Sequence, residues 1–300
     1  MKNIKQILKE HNKIIAKNLL NNQDLELLLS HAIKKDKIFL FTYPETKLNI
    51  LEYIKFKYYI KKRLAGFSVA TITGKKSFYG IEFLVNKHVL VPRPETEMMV
   101  DEVRTYVRTY KPTNITMIDI GTGTACIPIS ILKNIDVENT NFYAIDISKK
   151  ALKIAKQNIK IHGLNNKIEL KKSDLLKEIV SPPESERASW KLKIENSDII
   201  ITANLPYLTK EQIQGSPSIH KEPKLALDGG KNGMDLYIKL FTQIKHVTQE
   251  YQPSSLFLLC EIGALQSKIF KKSLLHILPN AKINIKKDLA GLDRIVTINC

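Results

Sequence analysis

The sequence predicts an α/β fold: a doubly wound, mainly parallel sheet preceded by a small helical domain. Three observations lead there. From Ile115 onward, short apolar runs of strand length alternate with longer amphipathic runs, the pattern of repeated strand–helix–strand units. Several short runs are rich in β-branched residues, Asp198–Thr202 (DIIIT) above all, as strands buried on both faces require. Residues 1 to about 66 instead carry helix-spaced apolar residues and no glycine before Gly66, so a separate helical unit comes first.

In chain order, Ile4, Ile7 and Leu8, then Leu25, Leu28 and Leu29, recur at helical spacing, with Asp24 as the expected N-cap of a segment running to Ala32. Pro44 interrupts the pattern and Leu48–Leu64 resumes it. Val69–Ile72 and Ser77–Val85 around Gly80 alternate in a strand-like way and predict a hairpin. Pro92 and Pro94 disfavour helix, and the next helix is expected from Glu95 or Thr96 to about Tyr110. This gives a helical domain over 1–66, a hairpin connector over 67–94 and a main domain over 95–300. Strands are expected at Thr116–Ile120, Asn141–Asp146, Lys167–Leu170, Asp198–Thr202, Ser255–Cys260, Ala281–Ile285 and Arg294–Asn299. Helices are expected at Cys126–Leu132, Ser148–His162 and Asp235–Gln249, with Ser181–Glu195 as a loop insertion or fraying helix end.

Composition narrows the class of protein. The 300 residues, 43% hydrophobic and 26% charged, suffice for a real core. No stretch approaches the ~18 uninterrupted apolar residues of a membrane span, and the basic N-terminus lacks a signal-peptide core. Cys126, Cys260 and Cys300 lie far apart without a C-x-x-C, so a reduced, cytoplasmic protein with no metal site is expected. The net charge of +17 rests on scattered lysines, with arginine only at positions 63, 93, 104, 108, 187 and 294. Phosphate readers favour the arginine fork, so a lysine-rich composition is preferred to a dedicated RNA surface. A monomer is expected.

The chemistry gathers at the ends of the strands. Asp119-Ile120-Gly121-Thr122-Gly123-Thr124-Ala125 follows the first strand and opens a helix; its glycines allow a tight turn and close approach of a ligand. The second strand ends at Asp146, placed to accept hydrogen bonds from ribose hydroxyls. Asp174, followed by Leu175, comes after the third. Cys126 occupies the third glycine position of a G-x-G-x-x-G pattern, so a pyrophosphate cradle is not expected. The fourth strand, Asp198–Thr202, runs into Asn204-Leu205-Pro206-Tyr207. That loop joins an amide, a proline-restricted backbone and an aromatic ring at the edge where open α/β sheets bind ligands.

The glycine loop, Asp146 and Asp174 resemble the successive motifs of class I S-adenosylmethionine-dependent methyltransferases. Asn204–Tyr207 resembles their fourth motif, N/D-P-P-Y/F, in the branch that methylates planar nitrogens. Over nearly its whole length the chain resembles the HemK-type protein-(glutamine-N5) methyltransferases that modify peptide-chain release factors. The matching segments include Phe78-Tyr79-Gly80, Val91–Glu97, Glu222-Pro223, Gly229-Gly230 with Gly233, and Ala290–Arg294. The resemblance implies a Rossmann-like sheet with a final antiparallel strand, an all-helical N-terminal substrate-recognition domain and a hairpin connector. It implies S-adenosyl-L-methionine as cofactor, bound by Gly121, Thr122, Gly123, Thr124, Ala125, Asp146, Asp174, Leu175 and Asn204. It implies catalysis by Asn204, Leu205, Pro206 and Tyr207 on the glutamine of a Gly-Gly-Gln loop. Two positions depart from the family: Ala125 stands where glycine is usual, and Leu205 replaces a proline.

A glutamine amide is a weak, neutral nucleophile, so orientation rather than a strong base is the expected means of catalysis. Asn204 Oδ1 and the Leu205 carbonyl are the expected acceptors for its two N–H bonds, with Tyr207 packed on the amide plane. Leu205 keeps the carbonyl and, before Pro206, the extended backbone, but it adds an N–H that needs a partner. The alternative role for Asn204 is a turn cap. The functional alternatives are an adenine-N6 methyltransferase acting on ribosomal RNA, which also uses Asn-Leu-Pro-Tyr, a glutamine methyltransferase of a ribosomal protein, and a non-catalytic assembly factor. Asp293-Arg294 is read as an ion pair, and His88 as a surface or core residue.

Overall fold

The computed structural model describes residues 2–15, 21–136, 140–195 and 197–300; residues 1 and 16–20 of the expected helical unit lie outside them. Helices α1 (Ile4–Ile15), α2 (Asn22–Ile33), α3 (Lys37–Thr42) and α4 (Ile50–Leu64) come first. They close on Ile4, Ile7, Leu25, Leu28, Leu40, Phe56 and Ile60. Helix α4 starts at a capping box, in which the Asn49 side chain and Glu52 serve each other's backbone N–H groups. The cap of α2 is Asn21, not Asp24: Asn21 Oδ1 accepts from the Asp24 N–H at 2.7 Å. Asp24, inside the first turn, pairs with Arg63 at 2.9 Å.

The expected strand at Val69–Ile72 is instead a short helix, α5 (Val69–Thr73). Ser68 caps its start and Gly74, at φ 77°, ends it, so capping at both ends outweighs the β-branched composition. The hairpin is therefore shorter, β1 (Lys75–Phe78) against β2 (Ile81–Leu84). Tyr79 and Gly80 turn it with positive φ angles of 51° and 73°, a twist matched to an antiparallel pair.

The rest is one seven-stranded sheet. Its elements are α6 (Glu97–Tyr110), β3 (Ile115–Ile120), α7 (Cys126–Asn134), β4 (Thr140–Asp146), α8 (Lys149–Ile161), β5 (Ile168–Lys172), α9 (Lys177–Val180), α10 (Glu184–Ile194) and β6 (Asp198–Ala203). There follow α11 (Lys210–Gln214), α12 (Asp235–Tyr251), β7 (Ser255–Glu261), α13 (Ser267–Ile277), β8 (Lys282–Lys287) and β9 (Asp293–Asn299). The strand order is β5-β4-β3-β6-β7-β9-β8. The first five strands are parallel, and β9 runs antiparallel to both its neighbours.

Alternate residues of each central strand face opposite layers, as a period of two dictates. In β6, Ile199, Ile201 and Ala203 pack toward α12 and α13. Ile200 packs toward α6, α7 and the hairpin phenylalanines. The segment expected as a loop, Ser181–Glu195, is largely the helix α10, because Trp190 and Ile194 bury in the first of these layers and Trp190 lies 4.7 Å from the Tyr143 ring. Arg294 pairs with Asp288 at 3.0 Å rather than with Asp293, since the bulge between Lys286 and Lys287 re-registers that edge.

The order reverses at β3, with β4 on one side and β6 on the other, and the carboxyl ends of these strands and of β7 share one rim. That switch point is where this architecture binds ligands.

Candidate active site

The first half of the site is built from main chain. After β3, Gly121 and Gly123 turn with φ 72° and 53°, and the Gly121 and Thr122 N–H groups both donate to the Ile145 carbonyl at 2.9 Å. Asp146, at the tip of β4, accepts from the Gly123 N–H at 3.0 Å and, through its other oxygen, from the Ser148 N–H at 2.8 Å. Burial raises its pKa, and those two N–H groups oppose the rise. Each oxygen keeps lone pairs for further donors.

Asn158 of α8 ties the loop to the hairpin: its Nδ2 donates to the Thr124 carbonyl at 2.9 Å, and its Oδ1 accepts from the Leu84 N–H at 2.8 Å. Ala125 sits behind the loop, fully buried at φ 60°. The left-handed backbone explains why glycine suits this position; alanine holds it at roughly 1–2 kcal/mol of steric cost. Beneath the loop, Asp119 is buried and accepts from the Thr202 hydroxyl at 2.7 Å; burial pushes its pKa up to about 7.

A cavity of about 320 Å³ opens above this loop. Gly121, Thr122, Gly123, Thr124, Asp146, Asp174, Leu175 and Asn204 all line it, with Ile147 and Leu225 among its apolar walls. Ala125 does not line it. The Asp174 carboxylate is ion-paired to Lys239 of α12, and Leu175 stands at φ 55° with its side chain buried. His88 also lines the cavity. Cys126 does too, but burial pushes its thiol up to about 12, so it packs and does not react.

The second half is built from side chains. Asn204, Leu205 and Pro206 line the first cavity and also a second, of about 390 Å³, that includes Tyr207. Asn204, Leu205 and Pro206 thus form the wall between two spaces, with Tyr207 on the second side. Asn204 Nδ2 donates to Glu261 Oε2 at 2.9 Å and to the Thr96 hydroxyl at 3.0 Å. Both bonds reach distant residues, not its own turn. The Thr96 hydroxyl donates to the same Glu261 oxygen at 2.6 Å, and Tyr207 donates to the other at 3.2 Å.

Leu205 is 3% exposed. Its N–H, the donor that a proline would lack, reaches the Tyr237 hydroxyl at 3.3 Å. That hydroxyl donates in turn to the Glu261 carbonyl. Gln266 Nε2 holds the Tyr207 carbonyl at 2.8 Å. Arg93, which lines both cavities, pairs with Glu222 at 2.5 Å.

No sequence motif marks Glu261 or Tyr237, and Thr96 falls within the matching Val91–Glu97 segment without a role of its own there. A carboxylate at the last position of an otherwise apolar strand, Leu256 to Cys260, is the one signal that could have pointed to Glu261. Thr96 reads as helix chemistry, and Tyr237 as an ordinary core aromatic.

Fold and rim together define a class I methyltransferase. A methyltransferase domain matches residues 101–188, and the PrmC N-terminal domain matches residues 5–74. The catalytic domain of hMettl16, solved with a MAT2A 3′UTR hairpin, matches in fold with a TM-score of 0.52 at 16% identity, over 76% of this chain and 79% of that one.

The sequence relatives are more specific. The release factor glutamine methyltransferase of Thermodesulfovibrio yellowstonii is 31% identical over 95% of both chains. That of Clostridium acetobutylicum is 31% identical over 91% of this chain and 90% of its own. The chain belongs to the release factor glutamine methyltransferase family.

Proposed function

We propose that the protein methylates N5 of the side-chain amide of the glutamine in the Gly-Gly-Gln motif of peptide-chain release factors, with S-adenosyl-L-methionine as donor. The observation that carries this reading is the Asn204 amide. Its Nδ2 is committed to Glu261 and Thr96, which leaves Oδ1 as an acceptor in the wall between the two cavities. Such an acceptor suits an incoming N–H₂ group.

The first cavity suits the donor. Gly121 and Gly123 expose bare backbone, Asp146 offers carboxylate oxygens to a vicinal diol, and Leu175 and Ile147 supply apolar wall for a flat ring. When bound, the cofactor supplies a methyl carbon made electrophilic by its sulfonium.

The chain's own task is orientation. Asn204 Oδ1 and the Leu205 carbonyl accept the two amide N–H bonds and turn the nitrogen toward the first cavity. Tyr207 lies against the amide plane, and the proton that the nitrogen sheds as its bond to the methyl carbon forms passes to water. Positioning of this kind supplies roughly 7–11 kcal/mol in well-aligned systems.

Mass spectrometry after incubation with S-adenosyl-L-methionine tests the reading on purified release factor and on ribosomal RNA. A gain of one methyl on the glutamine is expected. Methyl on RNA alone, or on neither, overturns it.

A further inference from the structure

We propose that Glu261 is a positioning residue for methyl transfer: it selects which end of the Asn204 amide faces the second cavity and so makes Asn204 an acceptor there. The inference rests on the function proposed above. An asparagine amide is nearly symmetric in shape, and its two ends differ only in donating or accepting. Turned the other way, Nδ2 would face the substrate's own N–H₂ and two donors would meet.

Glu261 removes that choice. As a carboxylate it only accepts, it is 1% exposed, and its Oε2 lies 2.9 Å from Asn204 Nδ2. Thr96 is set by the same oxygen: its hydroxyl proton goes to Oε2, so its own oxygen is free to accept the second Nδ2 hydrogen at 3.0 Å. Three residues, from the turn ahead of α6, the β6 loop and the tip of β7, close a triangle in which every donor has an acceptor.

The same residue also fixes the two neighbours. Glu261 Oε1 takes the Tyr207 hydroxyl, leaving the ring rather than the phenol for the cleft. Its carbonyl takes the Tyr237 hydroxyl, which receives the Leu205 N–H. Asn204, Leu205 and Tyr207 therefore share one anchor. Burial, with Glu95, raises the Glu261 pKa, while the Thr96 and Tyr207 hydroxyls and Arg294 of β9 favour the ionised form and oppose the rise.

Glu261→Gln tests this, because it keeps shape and one acceptor while placing an N–H₂ in the triangle. Wild-type protein is assayed first, and whichever acceptor takes the methyl is then used for the variant, so failure of the proposed substrate is seen separately. The expected result is a fall in kcat of ~100-fold, with KM for the acceptor, the dissociation constant for S-adenosylhomocysteine and the melting temperature near wild type. The proposal is overturned by a kcat within threefold of wild type for Glu261→Gln. It is equally overturned if the loss appears in cofactor affinity and melting temperature in the same proportion, as a merely structural residue would give.

Discussion

The two halves of the site are built in opposite ways. On the proposed cofactor side the contacts are local and involve main chain: the Gly123 N–H meets a carboxylate 23 residues away, and paired backbone N–H groups close on Ile145. On the acceptor side they are remote and made by side chains, with Asn204 meeting Glu261 and Thr96 at separations of 57 and 108 residues. A main-chain cradle tolerates many sequences, provided its glycines remain. A side-chain network depends on each member, because one wrong donor leaves a buried group unmatched.

The largest effect should come from Asn204→Ala. It removes the proposed acceptor itself, and kcat should fall ~10³-fold or more. Equilibrium binding of S-adenosylhomocysteine should stay within about threefold, because the cradle is untouched. A tenfold loss of binding would mean that the halves are not separable.

Glycine substitutions sharpen the contrast. A Cβ at Gly233, where φ is 69°, would run into the Tyr207 carbonyl and Gln266. Gly233→Ala should cost ~2–4 kcal/mol and lower the melting temperature by roughly 5–10 °C, with acceptor turnover lost alongside. A Cβ at Gly123 meets only the Gly121 carbonyl, at 3.8 Å. Gly123→Ala should cost the fold about 1 kcal/mol of backbone strain and show its main effect in cofactor affinity. Equal melting temperatures for the two variants would break the comparison.

Asp146→Asn is the cofactor-side counterpart of the Glu261 substitution. An amide cannot accept from both the Gly123 and Ser148 N–H groups through two oxygens, and it also loses an acceptor for a diol. Cofactor affinity should weaken by about tenfold, near 1.4 kcal/mol, while kcat at saturating cofactor changes little. A fall confined to kcat would move Asp146 from binding to catalysis.

This division also decides what could be read from the sequence. The strands and the glycine loop stand out because period-two burial and positive-φ turns leave marks in a few consecutive residues. Asn204–Tyr207 stands out because the loop is contiguous. Glu261 and Tyr237 become part of the site only once β7 and α12 pack against the β6 loop, and no local pattern records that; Thr96 lies in the matching Val91–Glu97 segment, but its bond to Asn204 spans 108 residues and leaves no local mark. The structure departs from the sequence reading where capping or tertiary packing overrides composition. Val69–Ile72 is β-branched but capped at both ends, and Ser181–Glu195 is polar but carries Trp190 and Ile194 into the core. Asp24 looks like a cap, yet Asn21 lies at the right backbone angle and Arg63 claims the aspartate.

The smallest effect concerns Leu205, the departure that the sequence left open. Its extra N–H has a partner in the Tyr237 hydroxyl, which is itself buried in the core beneath β6. Tyr237→Phe should therefore leave that N–H unpaired, at ~1–3 kcal/mol, and slow turnover a few fold as the loop loosens. The cost contains a second part, the lost bond to the Glu261 carbonyl, so one variant cannot assign it. Leu205→Pro separates the two, because proline has no N–H to strand. In that background Tyr237→Phe should cost about 1 kcal/mol less than in the native chain, a coupling that denaturant unfolding of the two single variants and the double variant measures directly. Strict additivity would show that the hydroxyl serves Glu261 alone and that Leu205 is tolerated for its extended backbone before Pro206 rather than for any partner.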